Sequence, residues 1–539
     1  MNARHFLKPY LPLAVVGALF VLMAVTVQPA DRALQRAAGT ARVPTAVNSD
    51  GTLTADGDAA DADPSTPGVQ APSGERADGA APAVVGACGD RTQQVPGDPY
   101  SPPCIAFSGD NGGATHQGVT GDEIVIAVRQ LEGPSASEIF ADISGESVSD
   151  SPEAITDTTL ALAEYFSQRF NFYGRKLKIV FFRGQGSGVN ELLGGGKEKA
   201  LADAVQTAKE IGAFADLSAI TIPYADALAR NGVVALGAPY PSRKWFEEHR
   251  PYAWSLFPDG TNVVEASSSW TIARLKDQGV AEWAGPGLQG QPRKLALIAP
   301  ENAEYQESVN SYLGLLGDAG INVGLNIKYK LDINTMPNQG ASIVAQLKDA
   351  GVTTVICGCD PVMLALGLTP KANEQDYNPE WLTAGLAFAD QDIISQLIDQ
   401  GQWSRAFGIA YNAESEPQGR SYPYAAYKQM RPNDEPSFGV EELYYQMYIL
   451  ALGIHMAGPD LDPETFEAGL FAYPGGTGPR GTWRFGPGDY TPTDDFREIW
   501  WSTEASSAQN NKPGAWVQLN NGQRYLPGQV PVGRPPMFE

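Results

Sequence analysis

Between residues 294 and 360 the apolar positions switch repeatedly between two periods. Leu295-Ala296-Leu297-Ile298-Ala299 is a continuous apolar run that stops at Pro300, and beyond it Tyr305, Val309, Tyr312, Leu313 and Leu316 recur at helical spacing until Gly320. Residues 321–323 read as a second strand, Ile343, Val344 and Leu347 mark a second helix, and Thr353-Thr354-Val355-Ile356 is a third strand running into Cys357-Gly358-Cys359-Asp360. The alternation predicts a parallel βαβαβ unit. Strands buried on both faces need helices on each side, which leaves the loops at their carboxyl ends free to form a crevice. Residues 300–305 and 357–361 are therefore the first candidate binding loops.

The same alternation precedes this unit. Val125-Ile126-Ala127-Val128 is a strand that ends at the turn Leu131-Glu132-Gly133-Pro134; a helix after Pro152 puts Ile155, Leu162, Tyr165 and Phe166 on one face, and Gly174-Arg175-Lys176 turns into a strand at 177–182. A helix carrying Leu201, Val205, Ala208 and Ile211 leads to Leu217-Ser218-Ala219-Ile220-Thr221, a helix at 224–229 and a strand at 232–236. After Asp360 come strands at 381–384 and 407–410 and a long helix from Val440, with Leu443, Met447, Leu450, Ala451 and Ile454 on its inner side. The fold class is α/β, with two doubly wound parallel-sheet lobes. Gly481-Thr482-Trp483-Arg484-Phe485 with Pro487-Gly488-Asp489 reads as a β-turn region, and 505–539, polar and Pro-rich, as an irregular surface tail.

Length supports this division, because 539 residues exceed what one core accommodates. The net charge of −24 excludes nucleic acid and anionic membrane as partners through long-range repulsion. At the amino terminus Arg4 and Lys8 precede a run that is apolar from Leu11 to Val27, the signature of an export signal. Two readings of residues 1–30 stay open: a cleaved signal peptide, or a single transmembrane anchor, since the run is nearly long enough to span a bilayer. Both place the remainder outside the cytoplasm. Residues 31–87 are Ala, Gly, Asp, Pro, Ser and Thr with hardly a large apolar side chain, so they are expected to be a disordered linker.

Four cysteines in an exported chain fit disulfides. Cys88 and Cys104 flank a Pro- and Gly-rich loop and form the obvious local pair, closing an extension at 88–117, a closure worth roughly 3 kcal/mol. Cys357 and Cys359 leave three possibilities: a disulfide in a very small ring, free thiols, or a metal site, the last disfavoured because the chain has only 4 His, none near them in sequence.

Gly118-Val119-Thr120 leading into Ile124-Val125-Ile126, the Gly133-Pro134 turn, Tyr173-Gly174-Arg175-Lys176, Pro300-Glu301-Asn302-Ala303-Glu304-Tyr305 and Gly481-Thr482-Trp483-Arg484-Phe485, in this order, resemble type I periplasmic-binding-fold proteins. Within them the chain is most similar to the branched-chain amino acid (leucine, isoleucine, valine) binding proteins of ABC importers, in their actinobacterial form. The resemblance spans residues 118–501. It implies a clamshell whose chain crosses the hinge near Pro258, Tyr411 and Arg480, with lobe 1 formed by 118–258 and 412–480 and lobe 2 by 259–411 and 481–504. It implies a monomer without cofactor that holds an amino acid or similar small solute between the lobes and delivers it to a membrane permease. By position the first-lobe pocket falls on Ser218, Ala219, Thr221, Gly237, Ala238 and Tyr240, where N–H groups at helix starts favour an anion, and Tyr305 closes from the second lobe. The family's ammonium-binding acid is missing at Gly385-Leu386-Ala387-Phe388; Asp360 or Asp390 is left to replace it, and Arg129 to take a second carboxylate. In isolation Ser218, Thr221 and Asp360 are equally helix caps, and Tyr305 a core residue.

Catalysis finds little support. Gly194-Gly195-Gly196-Lys197 lacks the first glycine and the Ser/Thr of a phosphate loop, and Gly186-Ser187-Gly188 lacks the spacing of a nucleophile elbow. The competing function is a membrane-tethered sensing or scaffolding module of the same fold.

Overall fold

The computed structural model describes residues 87–131, 151–192 and 195–538. The segment 1–30, the linker as far as residue 86, the Gly133-Pro134 turn and Gly194 lie outside them. The expectation of a transmembrane segment is corrected: among the described residues no helix is long and apolar enough to cross a membrane.

The first lobe is built on five strands, β1 (Glu123–Gln130), β2 (Lys176–Arg183), β3 (Ala215–Asp216), β4 (Val234–Leu236) and β5 (Ala253–Trp254). They run parallel in the order β2-β1-β3-β4-β5. Helices Pro152–Arg169 and Val440–Ala457 cover one face. The first starts where Ser151 accepts the Ala154 N–H and Pro152 occupies the first turn. The second is buried nearly all round, from Tyr444 to His455, so the single inner stripe expected from the sequence was too narrow. The other face is packed with small side chains, among them Ala200, Ala204, Ala208 and Ala225. Here Leu201 and Val205, expected to face inward, are instead 49% and 40% exposed. The helix Lys197–Val205 turns Ala200, Asp203 and Ala204 inward because Asp203 is needed in a buried ion cluster described below.

The second lobe follows with β6 (Leu295–Pro300), β7 (Val323–Tyr329), β8 (Thr354–Cys357), β9 (Glu380–Thr383) and β10 (Ala406–Ala410). A short hairpin, β11 (Gly476–Gly478) and β12 (Gly481–Trp483), precedes β13 (Phe496–Ser506), β14 (Pro513–Gln518) and β15 (Arg524–Tyr525). The sheet order is β14-β13-β10-β9-β8-β6-β7, with β15 on β13. The strands β6 to β10 are parallel, but β13, β14 and β15 join antiparallel, so this sheet is mixed and not wholly parallel. The tail thus contains two strands, anchored by Trp516 against Trp403 and Trp501. The strand expected at 321–323 lies further on because β7 is an edge strand that buries only alternate residues, Ile327 and Tyr329 inward and Lys328 outward.

Leu256 belongs to the first core and Val264 to the second lobe, which places a crossover at Pro258 as expected. A second follows β10 at Tyr411-Asn412. Trp483, Phe485 and Tyr490 all sit in the first core while Phe496 sits in the second lobe, so the third passage falls at 491–495, later than Arg480. Cys88 is bonded to Cys104, and Cys357 to Cys359. The extension closed by the first bond is fastened to the first lobe through Tyr100, which stacks on Trp483 with ring centroids 4.4 Å apart and accepts the Arg480 N–H at 2.8 Å.

Candidate functional site between the lobes

The rim of the first lobe is held by one side chain. Gln446, the lone amide in an apolar helix, donates its Nε2 hydrogens to the carbonyls of Leu217 at 2.5 Å and Leu236 at 2.7 Å. This fixes the segments leaving β3 and β4 side by side. Gly237 has φ +128°, and a Cβ there would lie 2.9 Å from Gln446 Nε2, so the position requires glycine. Ala219 and Ala238 are buried on either side of this clasp.

Beneath the rim lies a polar cluster. The Ser218 N–H and hydroxyl both donate to Asp216 Oδ1, at 2.7 and 2.6 Å, while Ser218 Oγ accepts the Arg129 N–H at 2.7 Å. The Arg129 guanidinium is forked onto Glu191, with Nη1 and Nη2 at 2.9 and 2.8 Å, reaches Asp203 at 3.2 Å and lies 3.5 Å from the Tyr224 ring centroid. The Thr221 hydroxyl donates to Glu191 at 2.5 Å. Burial opposes the Arg129 charge, but Glu191, with Tyr224 and Asp216, offsets this and its pKa is raised. Burial raises the pKa of Asp216, against the hydrogen bonds from Ser218 and Tyr224. The Arg129 side chain is wholly buried, and its partners, like those of the Ser218 and Thr221 side chains, are groups of the first lobe itself.

In the second lobe Tyr305 stands in the first turn of the helix Ala303–Asp318, directly after β6. Burial, with the Glu304 and Asp360 charges, raises its pKa. Asp360 follows β8 and acts as a cap: Oδ1 accepts the N–H groups of Val362 and Met363 at 2.9 and 3.0 Å, and Oδ2 accepts the Tyr329 hydroxyl at 2.5 Å. Burial raises its pKa, and these bonds work against the rise. Asp390 ties down the second crossover, accepting the Tyr411 and Asn412 N–H groups, both at 3.0 Å, and Asn412 Nδ2 at 2.8 Å.

The lobes meet where two unusual backbone segments face each other. Tyr240 has φ +65°, and across from it Ala387 and Phe388 have φ +49° and +64°. Such conformations of non-glycine residues cost energy and persist only where surrounding contacts impose them. The Tyr240 hydroxyl oxygen accepts the Ala387 N–H at 2.9 Å, and Phe257 stands between the two rings, 5.9 Å from Tyr240 and 5.6 Å from Phe388. Arg480 braces the junction from behind, with Nη1 on Glu441 at 3.1 Å and Nη2 on Asn412 Oδ1 at 2.7 Å. The gap enclosed by Tyr240, Phe257, Gly385, Tyr411, Asn412 and Arg480 has a free volume of about 10 Å³, room for no more than one water. The two lobes are in contact here through the Tyr240–Ala387 hydrogen bond.

Of the positions nominated from the sequence, the structure brings Tyr240 to the junction, sets Gly237, Ala238 and Ala219 at the rim behind it, and places Tyr305 and Asp360 together at the second-lobe edge. Arg129 stays inside the first lobe. Gln446, Phe257, Phe388 and the bracing role of Arg480 were not anticipated. Gln446 had a signal, as a single amide in an otherwise apolar helix; the others become visible only once the crossovers are folded together.

A family model described as Periplasmic binding protein matches residues 142–504. No curated protein sequence matches the chain. Among solved structures, the chain is similar to a solute-binding protein of an ABC transporter from R. palustris, crystallised with 4-hydroxybenzoate, at 13% identity over 76% of this chain and 98% of that one, with a TM-score of 0.53. It is similar to a fatty acid ABC transporter substrate-binding protein from Thermomonospora curvata at 15% identity over 79% and 99% of the two chains, with a TM-score of 0.52. A leucine-, isoleucine-, valine-, threonine- and alanine-binding protein from Brucella ovis, in its closed conformation, matches at 13% identity over 76% and 98%, with a TM-score of 0.52. At these identities the likeness is one of fold.

Proposed function

We propose that this chain, which belongs to the periplasmic binding protein family, is the extracytoplasmic solute-binding component of an ABC-type importer. It captures one small polar solute between its lobes and presents the closed form to a membrane permease. The protein is not an enzyme: the family match and the solved relatives are to solute-binding proteins. The observation that carries the reading is the junction itself, where strained backbone on each lobe is joined by the Tyr240–Ala387 hydrogen bond in front of the carboxyl ends of both sheets. That is the arrangement of a hinge that opens to admit a guest and shuts over it.

The solute's anionic or carbonyl group would rest on backbone N–H groups near Ala219 and Ala238, with Tyr240 and Tyr305 as its walls. Recognition of an α-amino acid, the ligand class implied by the Leu/Ile/Val-binding resemblance, would also need an acid for the ammonium group. Asp360 accepts three hydrogen bonds and Asp390 three from their own lobe. This favours a carboxylate or a neutral polar solute over an amino acid.

A panel of amino acids, amides, ureas and aliphatic and aromatic carboxylates, tested by thermal melting of the purified protein, checks the reading. One chemical class is expected to raise the melting temperature in a saturable way, because a ligand bound only by the folded state stabilises it. The tight packing of the aromatic gap favours a second reading, a sensing or scaffolding module whose lobes stay shut; no shift across the whole panel supports that one.

A further inference from the structure

Arg497 on β13 and Arg524 on β15 are direct cross-strand partners in an antiparallel ladder. Like charges in that register repel, and here both side chains are taken out of water: Arg497 is 4% exposed and the Arg524 side chain 13%. Arg524 has a partner, donating Nε to Asp495 Oδ1 at 2.8 Å. Arg497 makes no ion pair among the described residues; it donates through Nη2 to the Asn412 carbonyl, at 2.6 Å. Arg497 Nε and Nη1, together with Arg524 Nη1, are buried donors without an acceptor.

Of the carboxylates whose charge reaches Arg497, Glu414 is exposed to solvent and the others are engaged elsewhere. Asp390 holds the second crossover, Asp392 Oδ1 accepts the Trp516 N–H at 2.9 Å, and Asp495 Oδ2 accepts the Thr482 N–H at 3.1 Å. Burial, followed by the charge of Arg524, pulls the Arg497 guanidinium down to about 10, the behaviour of a cation in need of a counter-charge. Buried donors are almost always satisfied, by protein, water or an ion. Three unpaired donors on two cross-strand cations select an anion over a neutral guest.

We propose that Arg497 and Arg524 form a buried site for one small monovalent anion of halide size, which neutralises the pair behind the second and third hinge crossovers. The two guanidinium groups donate to the carbonyls of Asn412 and Tyr411, so the site adjoins the junction from the second-lobe sheet; it does not rest on the transport role. Melting of the protein without solute, in sodium chloride against sodium gluconate at matched ionic strength, is expected to show a saturable stabilisation by chloride alone, and Arg497→Gln is expected to remove it. Crystals soaked in sodium bromide are expected to carry an anomalous peak between the two guanidinium groups. If Arg497→Gln does not fold, Arg524→Gln and the bromide peak in the unsubstituted protein decide the matter. A chloride-specific shift that survives the substitutions, no such shift in the unsubstituted protein, or crystals without bromide beside Arg497, would each overturn the site and leave water as the occupant.

Discussion

Tyr240→Phe isolates one hydrogen bond that joins the two lobes. The substitution removes one hydroxyl and keeps the ring that stands 5.9 Å from Phe257. In the closed form the Ala387 N–H, which now donates to the Tyr240 oxygen at 2.9 Å, would lose its acceptor in an enclosed space. Leaving a buried donor unsatisfied costs about 1–3 kcal/mol. In the open form both groups are hydrated and the change costs nothing, so the whole penalty falls on closure. Taking about 1–2 kcal/mol, the closed-to-open ratio should drop about 5- to 30-fold, since each 1.4 kcal/mol is about tenfold. Single-molecule energy transfer between dyes on Lys178→Cys in the first lobe and Glu374→Cys in the second reads that ratio directly, because both side chains are exposed. No solute is required. A distance distribution identical to that of the protein with Tyr240 intact, in a variant that melts normally, would refute the reasoning.

Three further outcomes follow from the same structure. Arg129→Met strands Glu191 and Asp203 as buried charges, and breaking such a pair from one side costs about 3–5 kcal/mol; urea unfolding should show a loss of that order, and a loss below about 1 kcal/mol would mean that the cluster is hydrated. Gly237→Ala drives a methyl group onto Gln446 Nε2 at a left-handed backbone position, so both melting temperature and solute affinity should fall, the latter because the first-lobe rim loses its clasp. His455 is buried as the neutral ring, accepting the Asn171 N–H at Nδ1 at 3.0 Å and donating from Nε2 to the Pro103 carbonyl at 3.0 Å, and burial pulls its pKa down to about 4. The unfolded chain therefore takes up a proton near pH 6.5 that the fold refuses, and stability should decline between about pH 6.5 and 4, by on the order of 3 kcal/mol from this group. Asp98, which burial pushes up to about 6, acts in the opposite direction, so the comparison of urea midpoints at pH 7 and 4.5 is made between the unaltered protein and His455→Gln, which should decline less.

Several residues show why some features were readable and others not. The apolar run of β6, the stop at Pro300 and the helical spacing of Tyr312 and Leu316 are local patterns, and they placed a buried strand and its helix within a residue or two. Leu201 and Val205 fit the same kind of pattern and misled, because the inward face of that helix is chosen by Asp203 meeting Arg129, a partner 74 residues away. Asp360 kept its short-range capping partners, Val362 and Met363, but its bond to Tyr329 depends on how β7 and β8 are arranged in the sheet.

Periodicity, the order of turns and the spacing of cysteines were enough to determine two α/β lobes, an extension closed by Cys88 and Cys104, and the strand ends from which the candidate loops leave. Each of these depends on interactions between residues near one another in the chain. Which side chains face the cleft was decided only in three dimensions. Tyr240 meets Ala387 because crossovers far apart in sequence pass one another at the hinge, and Arg497 stands opposite Arg524 because β15 pairs antiparallel with β13; no local pattern encodes either meeting.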